Sequence, residues 1–424
     1  MHGIALSLLA AAASAEEQGF NRERLLQALR TGQFEAVEAH YTALHHAGGF
    51  TEAGLRPLTV LYRQVPGEEE WLPLLNAWCE RFPMSSYAFT QRGVFYARYA
   101  WKARGSGFSA TVNPEEWAIF EERMELARRD LERAYELDPG GSYTPAVLID
   151  VAMALGWTHE QMERQFQRAI RADPLDFVAY EKKLAYLTPK WHGSWDQVFD
   201  FARKTTAEAP EGSILPMVML EAYFHYLSDK KFRERELVFL DLPTACQEAE
   251  GVSKQLSRDF PASKDVLVMS AGIARYCRKW EVAAAQLEEA IRLSPEDRAS
   301  LLAELARVYW QQRDLGRAVA AFEQALEADP TDSVVHYELA QVFYEQGKIE
   351  SAAAHYQSAA ELYPAYAEAY YNLGFANYDL GRWAQAKDAF TEFLQQKQAR
   401  QYPDLMAKAE RLIKELERRL SSGR

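Results

Sequence analysis

The feature that most constrains the fold is a pattern of residue types that recurs at a fixed interval of about 34 residues in the C-terminal part of the chain. A fixed period of this length is typical of stacked helix–turn–helix units, each of which packs against its neighbours rather than into one closed globule. The matching large, small and turn residues of three consecutive units are Leu302, Leu305, Ala306, Trp310, Ala318, Phe322, Ala325 and Pro330; His336, Leu339, Ala340, Tyr344, Gly347, Ala352, Tyr356, Ala359 and Pro364; and Tyr370, Leu373, Gly374, Tyr378, Gly381, Ala386 and Phe390.

A small residue recurs where the two helices of each unit are predicted to cross closely. Ala306, Ala340 and Gly374 mark this position in the first helices, and alanines mark it in the second helices. The closing proline cannot continue the second helix, so it ends one unit and starts the next. The motifs at residues 294–297 and 329–332 are each predicted to supply a helix cap followed by a proline at the first helical position.

The prolines extend the repeat upstream, where its other positions fade. These prolines are Pro139, Pro174, Pro210, Pro261, Pro295, Pro330 and Pro364. All but one of the intervals between successive prolines equal the repeat length or exceed it by one or two residues. We predict an inserted loop at 105–110, between a helix over 86–102 and one that starts at 113. We also predict a hairpin with longer helices around 241–243 and short helices at 24–30 and 34–44. A helix with Leu412, Ile413, Leu416 and Leu420 on one face is predicted to close the array.

Charge and motif content exclude several functions. Acidic residues outnumber basic ones, 61 to 48, and the net charge of −13 repels a phosphate backbone, so we expect no nucleic-acid partner. The sequence has no P-loop, GxSxG or GxGxxG motif. His40, His45 and His46 lack an acid to complete a metal site, and the cysteines form no CxxC pair. We therefore predict no metal, no cofactor and no catalytic centre.

Residues 1–15 run uncharged through Ile4, Leu6, Leu8 and Leu9 and end in Ala-Ser-Ala. This pattern is similar to a signal peptide, but the apolar stretch is short and no basic residue precedes it. We expect residues 1–19 to be retained as an arm and the protein to be cytoplasmic; the alternative is cleavage and export to the periplasm. No later stretch is long and apolar enough to predict a membrane span.

The repeat residues resemble the tetratricopeptide repeat (TPR) family over 263–398. Upstream, residues 91–93, 100–105 and 189–195 resemble a bacterial domain family of unknown function that is often joined to TPR units. The resemblance implies an all-α, right-handed superhelix of stacked antiparallel hairpins, a bacterial source and a scaffold role. The predicted organisation is an arm over 1–19, a divergent helical domain over 20–262, TPR units over 263–398 and a capping helix over 399–424.

In arrays of this family a partner usually binds the concave face, which the first helix of each unit lines. The predicted peptide-binding residues there are Arg307, Trp310, Tyr337, Gln341, Tyr344, Tyr371, Phe375 and Tyr378. Only Arg307 and Asn372 match the residues with which TPR clamps hold a carboxylate, so we predict instead a groove for an apolar or aromatic peptide segment. The alternative is that several of these rings pack against the next hairpin or the C-terminal helix.

A second candidate site is a small-ligand or enzymatic pocket in the upstream domain. Its predicted residues are Trp101, Arg104, Lys190, Trp191 and His192. Two tryptophans beside cationic side chains and a glycine could form such a pocket. The alternative is a rigid plug in which the tryptophans cover the core. The leading prediction is a non-enzymatic protein-interaction scaffold; RNA binding would require a basic concave face, which the sequence lacks.

Overall fold

The chain folds into helices throughout the part that the structure describes. The computed structural model describes residues 22–51, 54–104, 113–191, 193–229 and 243–422. Within these ranges the chain has 21 α-helices, three short 3-10 helices and no strand. The predicted all-α class is confirmed.

The described residues up to Met269 form one compact unit. Its helices are α1 (Arg22–Arg30), α2 (Phe34–Ala47), α3 (Pro57–Tyr62), α4 (Leu72–Arg81), α5 (Ser86–Arg104), α6 (Pro114–Leu137), α7 (Tyr143–Ala154), α8 (His159–Ala172), α9 (Phe177–Tyr186), α10 (Trp195–Glu208), α11 (Met217–Asp229) and α12 (Pro243–Asp259), followed by α13 (Lys264–Tyr276), whose last residues belong to the next unit. The first helices of successive hairpins are α5, α7, α9 and α11.

Residues 270–424 form the second compact unit. Its remaining helices are α14 (Trp280–Leu293), α15 (Arg298–Gln311), α16 (Leu315–Ala328), α17 (Ser333–Glu345), α18 (Ile349–Leu362), α19 (Ala367–Asp379), α20 (Trp383–Gln395) and α21 (Pro403–Ser421). Helices α15 and α16, α17 and α18, and α19 and α20 pack as three hairpins, and each hairpin packs on the next. The first helices of these hairpins are α15, α17 and α19.

The small residues lie where the sequence pattern places them. Ala306, Ala340 and Gly374 are buried on the first helices, and Ala318, Ala352 and Ala386 are fully buried on the second helices. The closest approach is at Gly374, where an added Cβ would lie 2.6 Å from Cε1 of Phe390. A larger side chain there would separate α19 from α20.

Helix starts agree with the sequence in some places and differ in others. Asn113 forms a capping box with Glu116 at the start of α6, where a helix start is predicted. At 329–332 the predicted cap is wrong: Pro330 lies in the turn and the cap of α17 is Asp332, whose carboxylate accepts from the Val334 and Val335 amides. A proline ahead of the helix ends the preceding unit and leaves the next acidic residue free to cap.

The motif at 294–297 also differs from the prediction. Pro295–Asp297 form a 3-10 turn and α15 starts at Arg298, while the Ser294 side chain makes no capping bond. At the far end of the chain, Leu416 on α21 is fully buried, but Leu420 is 43% exposed. The apolar face of α21 therefore extends one turn beyond the surface that it covers.

Several predictions fall on residues that the structure does not describe. They concern the arm or signal segment over 1–19, the inserted loop at 105–110, most of the turn at 241–243, and His192. Among the helices of the described ranges, none is long and apolar enough to cross a bilayer.

The helix crossing at Gly374 gives a first prediction. Gly374→Ala should destabilise the protein by about 1–3 kcal/mol, because the new methyl group meets the Phe390 ring. Gly251→Ala on α12 is the matched control, since a Cβ added at Gly251 would have no neighbouring atom within 4 Å. This variant should stabilise the protein by up to about 1 kcal/mol. Denaturant unfolding followed by circular dichroism tests both; equal effects would contradict the close crossing.

Candidate functional site

The candidate site is the surface formed by α15, α17 and α19, which we call the first-helix face. One aromatic residue recurs on it once in each repeat, namely Trp310, Tyr344 and Tyr378. Each of these side chains is partly exposed. The repeat therefore places three aromatic rings at the same position of three successive hairpins, all within the C-terminal unit.

Arg307 links the first two of these helices. Its guanidinium donates to both carboxylate oxygens of Glu338 on α17 at 2.9 Å, and to Glu304 on its own helix at 2.6 Å. Burial alone would lower the pKa of Arg307, but its bonds to the two carboxylates outweigh burial and raise it. Burial raises the pKa of Glu338, and Arg307 offsets only part of that rise.

Tyr337 is held by polar partners and by other rings. Its hydroxyl accepts from Nδ2 of Asn372 on α19 at 2.9 Å and from Nε2 of Gln341 at 3.3 Å. Its ring lies 5.6 Å from that of Tyr356 and 4.9 Å from that of Tyr366, measured between centroids. Burial raises the pKa of Tyr337 to about 12. Tyr337 and Gln341 therefore have fixed positions on the face.

Two further tyrosine hydroxyls reach carboxylates on the next helix. Tyr344 on α17 donates to Asp379 on α19, and Tyr378 donates to Glu415 on α21 at 3.0 Å. Burial and the bond to Asp379 together raise the pKa of Tyr344 to about 12. These contacts orient the rings through their polar ends. The Tyr378 ring also packs on Trp383 at 5.3 Å, and the Arg419 guanidinium carbon lies 5.6 Å from its centroid.

Tyr371 is buried in the last hairpin, and Phe375 is partly buried beside it. Tyr371 is only 8% exposed and packs against Phe390 and Phe393 at centroid distances of 5.9 and 5.1 Å. Phe375 packs on Phe390, and the Lys408 ammonium of α21 lies 4.5 Å from its centroid. These two rings support the face from beneath rather than forming its outer surface.

The sequence did not identify the partners of these side chains. Glu338, Asn372 and Asp379 lie 31 to 35 residues after the groups that they bind. A search for complementary polar residues about one repeat apart would have found them. Such a search requires the stacking register, because the residues meet only when successive first helices lie side by side.

In the N-terminal unit, four of the second set of predicted residues form one aromatic cluster. The Trp101 and Trp191 rings meet edge to face at 5.7 Å, and the Lys190 ammonium lies 5.2 Å from the Trp191 centroid. The Arg104 guanidinium carbon lies 5.5 Å from the Trp101 centroid and 5.4 Å from that of Trp117. Trp117 was not among the predicted residues.

Other features of the N-terminal unit lie apart from this cluster. Trp195 packs edge to face on Tyr226 at 5.0 Å. An open cavity on α8 is lined by Tyr135, His159, Arg164 and Arg168 among others, and by none of the predicted site residues. Within the described ranges no group of acidic, histidine or cysteine side chains has the arrangement needed to hold a metal ion.

The stacked hairpins and their fixed period define an α-helical repeat protein. Residues 309–354 and 368–396 match family models described as tetratricopeptide repeat, and residues 340–381 match one described as TPR repeat. Residues 309–396 of the chain are therefore tetratricopeptide repeats. Repeats of this kind bind proteins or peptides, and they support a protein-interaction scaffold.

Solved structures with a similar fold include MamA and YrrB. A MamA structure is 16% identical, covering 40% of this chain and 97% of its own, with a TM-score of 0.34. YrrB, described as a TPR protein with an unusual peptide-binding site, is 13% identical; the match covers 58% of this chain and 97% of YrrB, with a TM-score of 0.33. MamA from Desulfovibrio magneticus RS-1 is 17% identical; the match covers 44% of this chain and 97% of that MamA chain, with a TM-score of 0.33. No curated protein matches the chain.

The ion pair at Arg307 gives a second prediction. Arg307→Met leaves the Glu338 carboxylate, 18% exposed, without its cation, and should cost about 2 kcal/mol at about pH 8. The folded-state pKa of Glu338 already lies above its ordinary value and should rise further. The cost should therefore shrink as the pH falls through that folded-state pKa, where Glu338 takes up a proton.

Arg313→Met is the control for this variant. Arg313 pairs with Glu345, and the two side chains are 78% and 37% exposed. The loss of stability should therefore be below about 0.5 kcal/mol. Denaturant unfolding at about pH 8 and about pH 5 measures both variants. A loss for Arg307→Met that is as small as the control, or that does not change with pH, would contradict this description of the pair.

Proposed function

We propose that the chain binds a partner protein through a peptide segment that lies along the first-helix face. The observation that carries the proposal is the column of Trp310, Tyr344 and Tyr378, one partly exposed ring from each hairpin at the same repeat position. Aromatic side chains of this kind supply most of the binding free energy at protein interfaces. An apolar or aromatic segment fits such a surface.

The fixed positions of these rings support the proposal. Tyr344 is tied to Asp379, and Tyr337 to Asn372 and Gln341, without a ligand. A face whose side chains are already ordered loses little conformational entropy when a partner binds. Arg307, locked between Glu304 and Glu338, is ordered in the same way.

The predicted residues take different parts in this proposal. Trp310, Tyr337, Gln341 and Tyr344 would contact the partner, and Arg307 would hold neighbouring helices in register. Tyr371 and Phe375 would act through packing, because the first is buried and the second is covered by Lys408. Tyr378 lies next to α21 through Glu415, so it would mark one end of the groove.

The proposal describes a non-enzymatic scaffold without a cofactor. The net charge of −13 supports a protein partner and opposes a nucleic-acid partner.

We propose the cytoplasm as the compartment of the protein, with export as the alternative if residues 1–15 act as a signal peptide. The small-ligand or enzymatic pocket near Trp101 and Trp191 stays a prediction, and the packed rings there favour the plug.

Removal of two aromatic rings gives a third prediction. Peptides selected from a random library on the immobilised full chain should bind the Trp310→Ala, Tyr344→Ala double variant at least about tenfold more weakly than the wild type. Calorimetry on the selected peptides measures the loss.

Tyr363→Ala is the control, because Tyr363 is 46% exposed but follows the second helix α18 and does not lie on the first-helix face. It should leave the affinity unchanged. Unchanged affinity in the double variant, with circular dichroism showing an intact fold, would place the binding site elsewhere on the chain.

A further inference from the structure

The N-terminal unit already holds a chain segment against its first helices. We call this segment, residues 54–66, which includes helix α3, the strap. Its Tyr62 ring stacks on the Tyr143 ring of α7 with centroids 4.9 Å apart and planes 2° apart. Its Arg63 donates to the Glu181 carboxylate of α9 at 3.1 Å. An aromatic residue followed by an arginine is thus held by a tyrosine and a carboxylate on two successive first helices.

Backbone contacts complete the hold on the strap. Gln91 on α5 donates to the Tyr62 carbonyl oxygen at 3.2 Å. Arg98, also on α5, donates to the carbonyl oxygens of Arg63 and Val65 at 3.1 and 3.0 Å. These bonds are independent of the strap's side chains, as they are for peptides bound to a protein groove.

The other end of the strap is held in the same way. Arg56 donates through Nε and Nη2 to the two carboxylate oxygens of Asp173 at 2.6 and 2.9 Å. Such two-point contacts between a guanidinium and a carboxylate are short and directional. Both arginines of the strap therefore pair with acidic residues of the hairpins that it crosses.

The first-helix face of the C-terminal unit carries the same types of groups. Helices α15, α17 and α19 contain five acidic residues and two arginines, and α17 and α19 contain no lysine or arginine. The acidic residues are Glu304, Glu338, Glu345, Glu368 and Asp379. Glu304 and Glu338 pair with Arg307, and Glu345 pairs with Arg313. The acidic character of this face therefore comes from Glu368 and Asp379 on α19, and it complements a cationic partner.

Hydrogen bonds from tyrosines do not remove this negative charge. Asp379 accepts from the Tyr344 hydroxyl and Glu368 accepts from the Tyr402 hydroxyl at 2.5 Å. At Tyr344 the ring and the Asp379 carboxylate are adjacent, and this pairing of an aromatic face with a negative charge is suited to a guanidinium or ammonium group.

We propose that the segment bound on the first-helix face carries an arginine or lysine next to an aromatic residue. The cation pairs with Asp379 beside the Tyr344 ring, and the aromatic residue packs on Trp310 or Tyr344. This inference rests on the proposed function and adds the chemistry of the partner. An acidic segment is disfavoured because it would face the Glu368 and Asp379 carboxylates of α19.

The test is peptide selection with three proteins. A random peptide library is selected on the full-length wild type, on Asp379→Asn, and on Asp388→Asn as the control, since Asp388 is exposed on the second helix α20. The wild type and the control should enrich peptides in which an arginine or lysine adjoins an aromatic residue. Asp379→Asn keeps a hydrogen-bond acceptor for Tyr344 and should lose the basic enrichment.

A binding measurement completes the test. Peptides selected on the wild type should bind Asp379→Asn about tenfold more weakly, and added salt should weaken their binding to the wild type more than to this variant. Peptides that depend on Trp310 and Tyr344 but show no basic enrichment would overturn this inference and leave the proposed function standing. Peptides that depend on neither ring would overturn both.

Discussion

The close contact between the two helices of each hairpin determines the rest of the structure. A hairpin can stack on the next only if its helices are near enough for the second helix to fill the space behind the first. Ala306, Ala340 and Gly374 allow this, and a ring from the second helix fills the space at Gly374. Because the crossing recurs once in every repeat, the first helices come side by side in register.

That register explains the polar links on the first-helix face. Each link joins a side chain on one first helix to a group on the next, as Arg307 does with Glu338 and Tyr344 with Asp379. They orient the aromatic rings and connect the hairpins at the same time. The same residues contribute to stability and to the proposed binding surface, and unfolding measurements on variants such as Arg307→Met must therefore accompany any binding measurement.

The sequence predicted the repeat well where a single residue type carries the information. Small residues at the crossings and prolines between units act locally, so the three C-terminal hairpins and the starts of α5 and α6 could be predicted without coordinates. The cap of α17 was predicted at the wrong residue, because acidic residues lie on both sides of Pro330 and local sequence does not select between them.

Features that depend on long-range contacts could not be predicted at all. Arg56 and Arg63 meet partners 117 and 118 residues away along the chain, so the strap is not visible in any local pattern.

In the proposed function, α15, α17 and α19 together form the surface that a partner covers. Hydrogen–deuterium exchange of the full chain, with and without a selected peptide, tests this directly. Slower exchange should appear in these three helices and not in α16, α18 or α20. Slower exchange confined to the second helices, or to the helices of the N-terminal unit, would contradict it.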